Sequence, residues 1–209
     1  MRAATVCVLA VVGCGGAPEA PLPYASEVIS FSPGEGAGFG KEAMPGVVLG
    51  PPRGKGLSAA STHVVSLGVG GEITVGFGSS VVVDGPGPDL VVFENVFLAG
   101  GDPPQPFAEP GEVSVSSDGV EWATFDCDPT GPAGEGWAGC AGWHPTLVYD
   151  AAALVPIDAE LAGGDAFDLA ALGVGEVRYV RITDRSDGGA APNAGFDLDA
   201  VGAIHLDGD

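Results

Sequence analysis

Glycine and proline punctuate this chain at short intervals, with 36 Gly and 18 Pro among 209 residues. A fraction this high would by itself suggest disorder. Yet 45% of the residues are hydrophobic, and they fall into short runs: HVVSL at 63–67, EITVGF at 72–77, SVVV at 80–83 and LVVF at 90–93. Short apolar runs bounded by turn-forming residues describe strands. The expectation is an all-β domain, an antiparallel β-sandwich with few or no helices.

Individual strands can be placed. Residues 26–31 (SEVISF) form a first candidate. The runs 63–67 and 72–77 flank Gly68, Val69, Gly70 and Gly71 and read as a hairpin, with Ile73, Val75 and Phe77 alternating against Glu72, Thr74 and Gly76. Residues 90–93 are apolar at every position, as in a central strand covered on both faces. Residues 113–122 (VSVSSDGVEW) form a second hairpin around Asp118-Gly119, with Val120 and Trp122 returning on one face and Trp122 assigned to the core. Residues 176–184 and 199–206 read as the last two strands. The one helical turn expected lies at 168–172, capped by Asp168.

The chain opens MRAATVCVLAVVGCGG, with Arg2 ahead of an apolar run of 11 residues from Ala3 to Gly13. That run is too short to cross a bilayer and suits a signal sequence. Val11, Val12, Gly13 and Cys14 resemble the lipobox of bacterial lipoproteins, which implies that Cys14 is the lipid-modified first residue of the mature protein. The division expected is a signal peptide over 1–13, a lipid-anchored tether over 14–25 and one β-sandwich domain over 26–207. Gly15 after the anchor lacks the Asp that resembles an inner-membrane retention signal. The expected location is therefore the outer membrane or surface of a bacterial envelope, with membrane contact only through the lipid.

Cys127 and Cys140 remain as an even pair in an exported chain and are expected to form a disulfide. The formal charge of −21 argues against nucleic acid, whose phosphates require Lys and Arg. It favours divalent cations. Asp197 and Asp199 sit two residues apart at the start of the last strand, on one face if the strand is regular. Asp84, Asp89 and Glu94 would add oxygens if the DGPGPD loop came near. These five are the candidate ligands for a structural Ca²⁺, which takes six to eight oxygens. The competing reading is that these Asp residues cap turns. His63, His144 and His205 are too scattered to suggest zinc.

Trp137 and Trp143 bracket Cys140 in GWAGCAGWH, and His144 follows. Aromatic faces on a pinned loop with polar neighbours suit a ligand such as a glycan. The same indoles also suit covering an end of the core. Glu94, Glu109 and Glu112 come nearest to a carboxylate set for hydrolysis, but no nucleophile motif or triad is present. No catalytic residue is assigned.

The segment VSVSSDGVEW and the strand RYVRI at 178–182 resemble discoidin-like jelly rolls of the galactose-binding-like fold. Together with VVLGPPRG (47–54), VSLGVGGEITVGFG (65–78), VDGPGPDLVVFEN (83–95) and GFDLDAV (195–201), they are similar to a group of bacterial cell-surface proteins. The resemblance implies a jelly roll of eight to ten strands, a structural Ca²⁺ near the chain ends and glycan binding at the loop end. The expected function is a non-catalytic, surface-exposed binding module for a glycan or other cell-surface polymer. The alternatives are a structural or adhesive envelope protein and, less favoured, a polysaccharide hydrolase.

Overall fold

A computed structural model describes residues 22–100, 105–131, 136–147 and 156–208. The signal segment 1–13, Cys14 and the first part of the tether lie outside the described residues. The strands, in chain order, are β1 (Glu27–Ser32), β2 (Val65–Ser66), β3 (Glu72–Gly76), β4 (Val81–Val83), β5 (Leu90–Glu94), β6 (Phe97–Ala99), β7 (Gln105–Phe107), β8 (Gly111–Ser116), β9 (Ala123–Thr124), β10 (Asp165–Phe167), β11 (Glu176–Val177), β12 (Tyr179–Asp184), β13 (Asp197–Ala203) and β14 (Leu206–Asp207). One short α-helix, α1, covers Ala159–Ala162.

Two sheets make the body of an all-β sandwich. One runs β1-β3-β12-β8-β9 and the other β10-β5-β13-β2, with antiparallel pairing throughout. A smaller β11-β4-β14 sheet and the β6-β7 ribbon complete it. Ile73, Val75, Val113, Val115, Val180 and Ile182 of the first sheet pack against Leu90, Val92, Leu198 and Val201 of the second in one core. Val91, Phe93 and Ala200 point the other way and meet Tyr24, Ile157 and Ala162. The second sheet is thus buried on both faces, which is why β5 and β13 are buried at every position and why 90–93 reads as an unbroken apolar run.

Several sequence expectations change. The proposed 63–77 hairpin does not form: β2 pairs with β13 in one sheet, and β3 pairs with β1 and β12 in the other. The glycines between them carry the chain across the sandwich. Gly68 has φ +79°, and a Cβ there would lie 2.6 Å from the Gly34 carbonyl oxygen; at Gly71 it would lie 2.0 Å from that of Leu67. The 176–184 strand divides into β11 and β12, which serve different sheets. The final strand begins earlier than expected, at Asp197, and β14 follows it.

The hairpin at 113–124 is present, with Ser114 opposite Thr124 and Val115 opposite Ala123. Its loop is wider than a two-residue turn, because the Asp118 carboxylate accepts from the Val120 and Glu121 amides. Val120 and Trp122 therefore lie in the loop. Val120 is 74% exposed. Trp122 is half-buried outside the core, with the Arg181 guanidinium 3.6 Å from its ring centroid; a cation over an indole face is favourable. The Asp168 cap is present, accepting from the Ala170 amide at 2.9 Å ahead of a 3₁₀ turn over Leu169–Leu172.

Candidate functional site

Cys127 and Cys140 are joined by a disulfide. Beside it the Asp128 amide donates to the Ala138 carbonyl at 3.0 Å. Gly139, at φ +72°, tolerates no side chain, since a Cβ would fall 1.6 Å from the Asp126 carbonyl oxygen. Trp137 and Trp143 are half-buried and meet edge to face, with centroids 5.6 Å apart and planes at 85°. They line a hollow of about 740 Å³ with Phe125 and Phe167, and with Asp126, Asp128, His144 and Asp165 as polar members.

Asp165, on β10, holds one wall of this hollow. Its Oδ2 accepts from the amides of Gly142 (2.7 Å), Trp143 (3.0 Å) and His144 (3.4 Å), and its Oδ1 accepts from His144 Nδ1 at 2.7 Å. The hydrogen bond to Asp165 raises the His144 pKa above its ordinary value, against the opposing effect of burial. Nothing in the sequence singles out Asp165: it ends the LAGGD segment at 161–165, whose glycines read as an ordinary loop.

A second site lies at the ends of β5 and β13. Glu94, Glu109 and Asp197 each place a carboxylate oxygen within 4.8 Å of the others. Glu94 is fully buried, and among the described residues neither of its side-chain oxygens has a hydrogen-bond partner of normal geometry, nor has Glu109 Oε2. Asp197 accepts from the Ser66 hydroxyl and from Asn95 Nδ2, the latter at 3.5 Å. Burial, together with the charges of Asp197, Glu109 and Asp165, pushes the Glu94 carboxyl well above the usual carboxylate range, against a smaller lowering by the Asp197 backbone amide. Burial and the charges of Asp197 and Asp184 push Glu109 up to about 9. Burial also raises Asp197, against the hydrogen bonds from Ser66 and Asn95. Three crowded, dehydrated carboxyls either retain protons or share a cation.

The other expected ligands sit elsewhere. The β13 register slips between Leu198 and Ala200, leaving Asp199 out of step with β5. Asp199 accepts twice from the Arg53 amide, at 2.9 and 3.0 Å, and so pins the 51–54 segment; burial raises its pKa to about 7. Asp84 and Asp89 meet Asp168 rather than Asp197. There Asp89 is committed to the fold: Oδ1 accepts from the Gly85 amide and from His205 Nδ1, and Oδ2 from the Leu169 amide. Glu112, grouped in the sequence with Glu94 and Glu109, instead pairs with Arg185 at 2.6 Å. Of the five acidic residues expected to share an ion, Glu94 and Asp197 come together, and Glu109 joins them.

No protein-family model matches the chain, and no curated protein matches it.

Proposed function

We propose that this protein is a non-catalytic binding module of the bacterial cell envelope, exported and held to the membrane by a lipid on Cys14, that recognises a glycan or similar surface polymer. The observation that carries this reading is the disulfide-pinned hollow walled by Trp137 and Trp143. Sugar rings present flat C–H faces edged by hydroxyls. Such a ligand needs aromatic surface together with a few fixed polar groups. Trp137 and Trp143 offer the first, and His144, Asp126 and Asp128 border the same hollow as the second. The Asp165 bonds to successive amides hold this surface in shape before a ligand arrives, which lowers the ordering cost of binding.

The test is retention on immobilised polysaccharides. Wild-type protein is expected to be retarded on at least one polymer, and W137A and W143A each to weaken retention roughly tenfold or more, since aromatic anchors dominate such interfaces. Retention unchanged in both variants, or no retention of wild-type protein across a broad polymer panel, would sink this reading and favour a structural or adhesive envelope protein.

A further inference from the structure

We infer that Glu94, Glu109 and Asp197 bind one hard divalent cation of the Ca²⁺ class, and that this ion ties the two layers of the sandwich together. Glu94 and Asp197 stand at the adjoining ends of β5 and β13 in one sheet, where Glu94 lies beside Leu198 in the ladder. Glu109 lies two residues before β8, a strand of the other sheet. One oxygen from each lies within 4.8 Å of the rest. Two ligands across a single Ca²⁺ ion, each at about 2.3–2.6 Å, are separated by no more than this order of distance.

A cluster of acids alone does not make a site. The second observation is Glu94, which is fully buried and, among the described residues, makes no side-chain hydrogen bond of normal geometry through either carboxylate oxygen, the Asp197 amide being only close enough to act on its charge. Buried polar groups almost always find a partner, and a buried carboxyl that is not neutralised by a proton finds a counter-ion or a metal. Among the described residues, none of the ion pairs involves Glu94, Glu109 or Asp197. The second acidic cluster provides the contrast. Its buried member, Asp89, has both oxygens occupied by amides and by His205.

The donors are all oxygens, which suits Ca²⁺ and disfavours zinc or copper. Two surface hollows reach the cluster. One of about 300 Å³ is lined by Asn95 and Asp197, and one of about 730 Å³ by Glu109. They open onto Asp197 and Glu109, the sides from which an ion and the water completing its shell would enter. The inference stands apart from the glycan reading, since the ion can bind with no polymer present.

The experiment uses the whole chain stripped with EDTA and then titrated with CaCl₂ by calorimetry, with thermal melts in parallel. The expected result is one Ca²⁺ per chain and a rise in melting midpoint of roughly 5–10 °C at 100 times Kd. E94Q and D197N are each expected to weaken binding at least about tenfold, by loss of a charged ligand. D84N, in the other acidic cluster, is expected to bind as wild type does. Circular dichroism in EDTA reports whether each variant is folded, and E109Q probes the same ion from the opposite layer. No binding heat and no shift of wild-type protein at millimolar Ca²⁺ overturns the inference, whatever the variants do. Loss of binding in D84N with retention in E94Q overturns it as well, by placing the ion in the other cluster.

Discussion

At the scale of single residues, His144 is the group whose protonation bears most directly on the indole hollow. Its Nδ1 bonds Asp165, the same carboxylate that gathers the Gly142, Trp143 and His144 amides. The His144 pKa is raised in the folded protein. A raised imidazole stabilises the fold fully below its unfolded pKa, about 6.5, and loses that contribution as pH rises through the folded value. His144 is well exposed, so solvent weakens the pair and the effect is small. The expected outcome is that wild type melts above H144A by a margin that is widest below pH 6.5 and narrows as pH rises above it. Taking the difference between the two proteins cancels the other titrating groups. A margin that is flat with pH, or that grows with it, would show that the pair does not form as described.

At the scale of elements, the four-stranded sheet carries the densest burial. β5 is central, sealed on one face by the main core and on the other by Tyr24, Ile157 and Ala162. Phe93 fills the second face and is fully buried. Truncating a buried Phe costs about 3–5 kcal/mol, from lost transfer energy and the cavity left behind. F93A is therefore expected to lower unfolding free energy by that amount in urea titrations, while V120A, at an exposed loop position, changes it by less than about 0.5 kcal/mol.

The same scale shows what the sequence could and could not reveal. The central position of β5 was legible because burial on both faces leaves an unbroken apolar run. The Asp168 cap was legible because a cap is local chemistry. The false hairpin at 63–77 was not, because a four-residue glycine-rich link looks the same whether it turns a hairpin or crosses a sandwich. The partners decide: β2 lies against β13 and β3 against β12, each more than a hundred residues along the chain. The candidate sites divide in the same way. The indole loop was readable from two tryptophans flanking a cysteine. Asp165, which shapes it, and the meeting of Glu109 with Glu94 and Asp197 depend on which strands lie side by side. Asp197 and Asp199 read as a pair only on a regular strand, and the register slip separates their roles.

At the scale of the whole molecule, packing leaves a large excess of negative charge uncompensated. The chain carries 28 acidic residues against 7 Lys and Arg, for a formal net charge of −21. A net charge this far from zero favours solubility but strains the compact state through self-repulsion. Added salt shortens the reach of that repulsion, from a Debye length of about 30 Å at 0.01 M to about 3 Å at 1 M. Raising NaCl from 0.01 to 0.5 M is therefore expected to raise the melting midpoint by several degrees, at roughly 2–4 °C per kcal/mol for a domain of this size. This general screening acts on every exposed carboxylate, so E94Q and wild type should gain alike from NaCl. Ca²⁺ at the same ionic strength should then separate them, raising wild type further and leaving E94Q near its value in NaCl. An equal response of the two proteins to Ca²⁺ would assign its whole effect to screening. A midpoint that falls with NaCl would show instead that attractive pairs such as Arg185–Glu112 and Arg181–Glu72 outweigh the net repulsion.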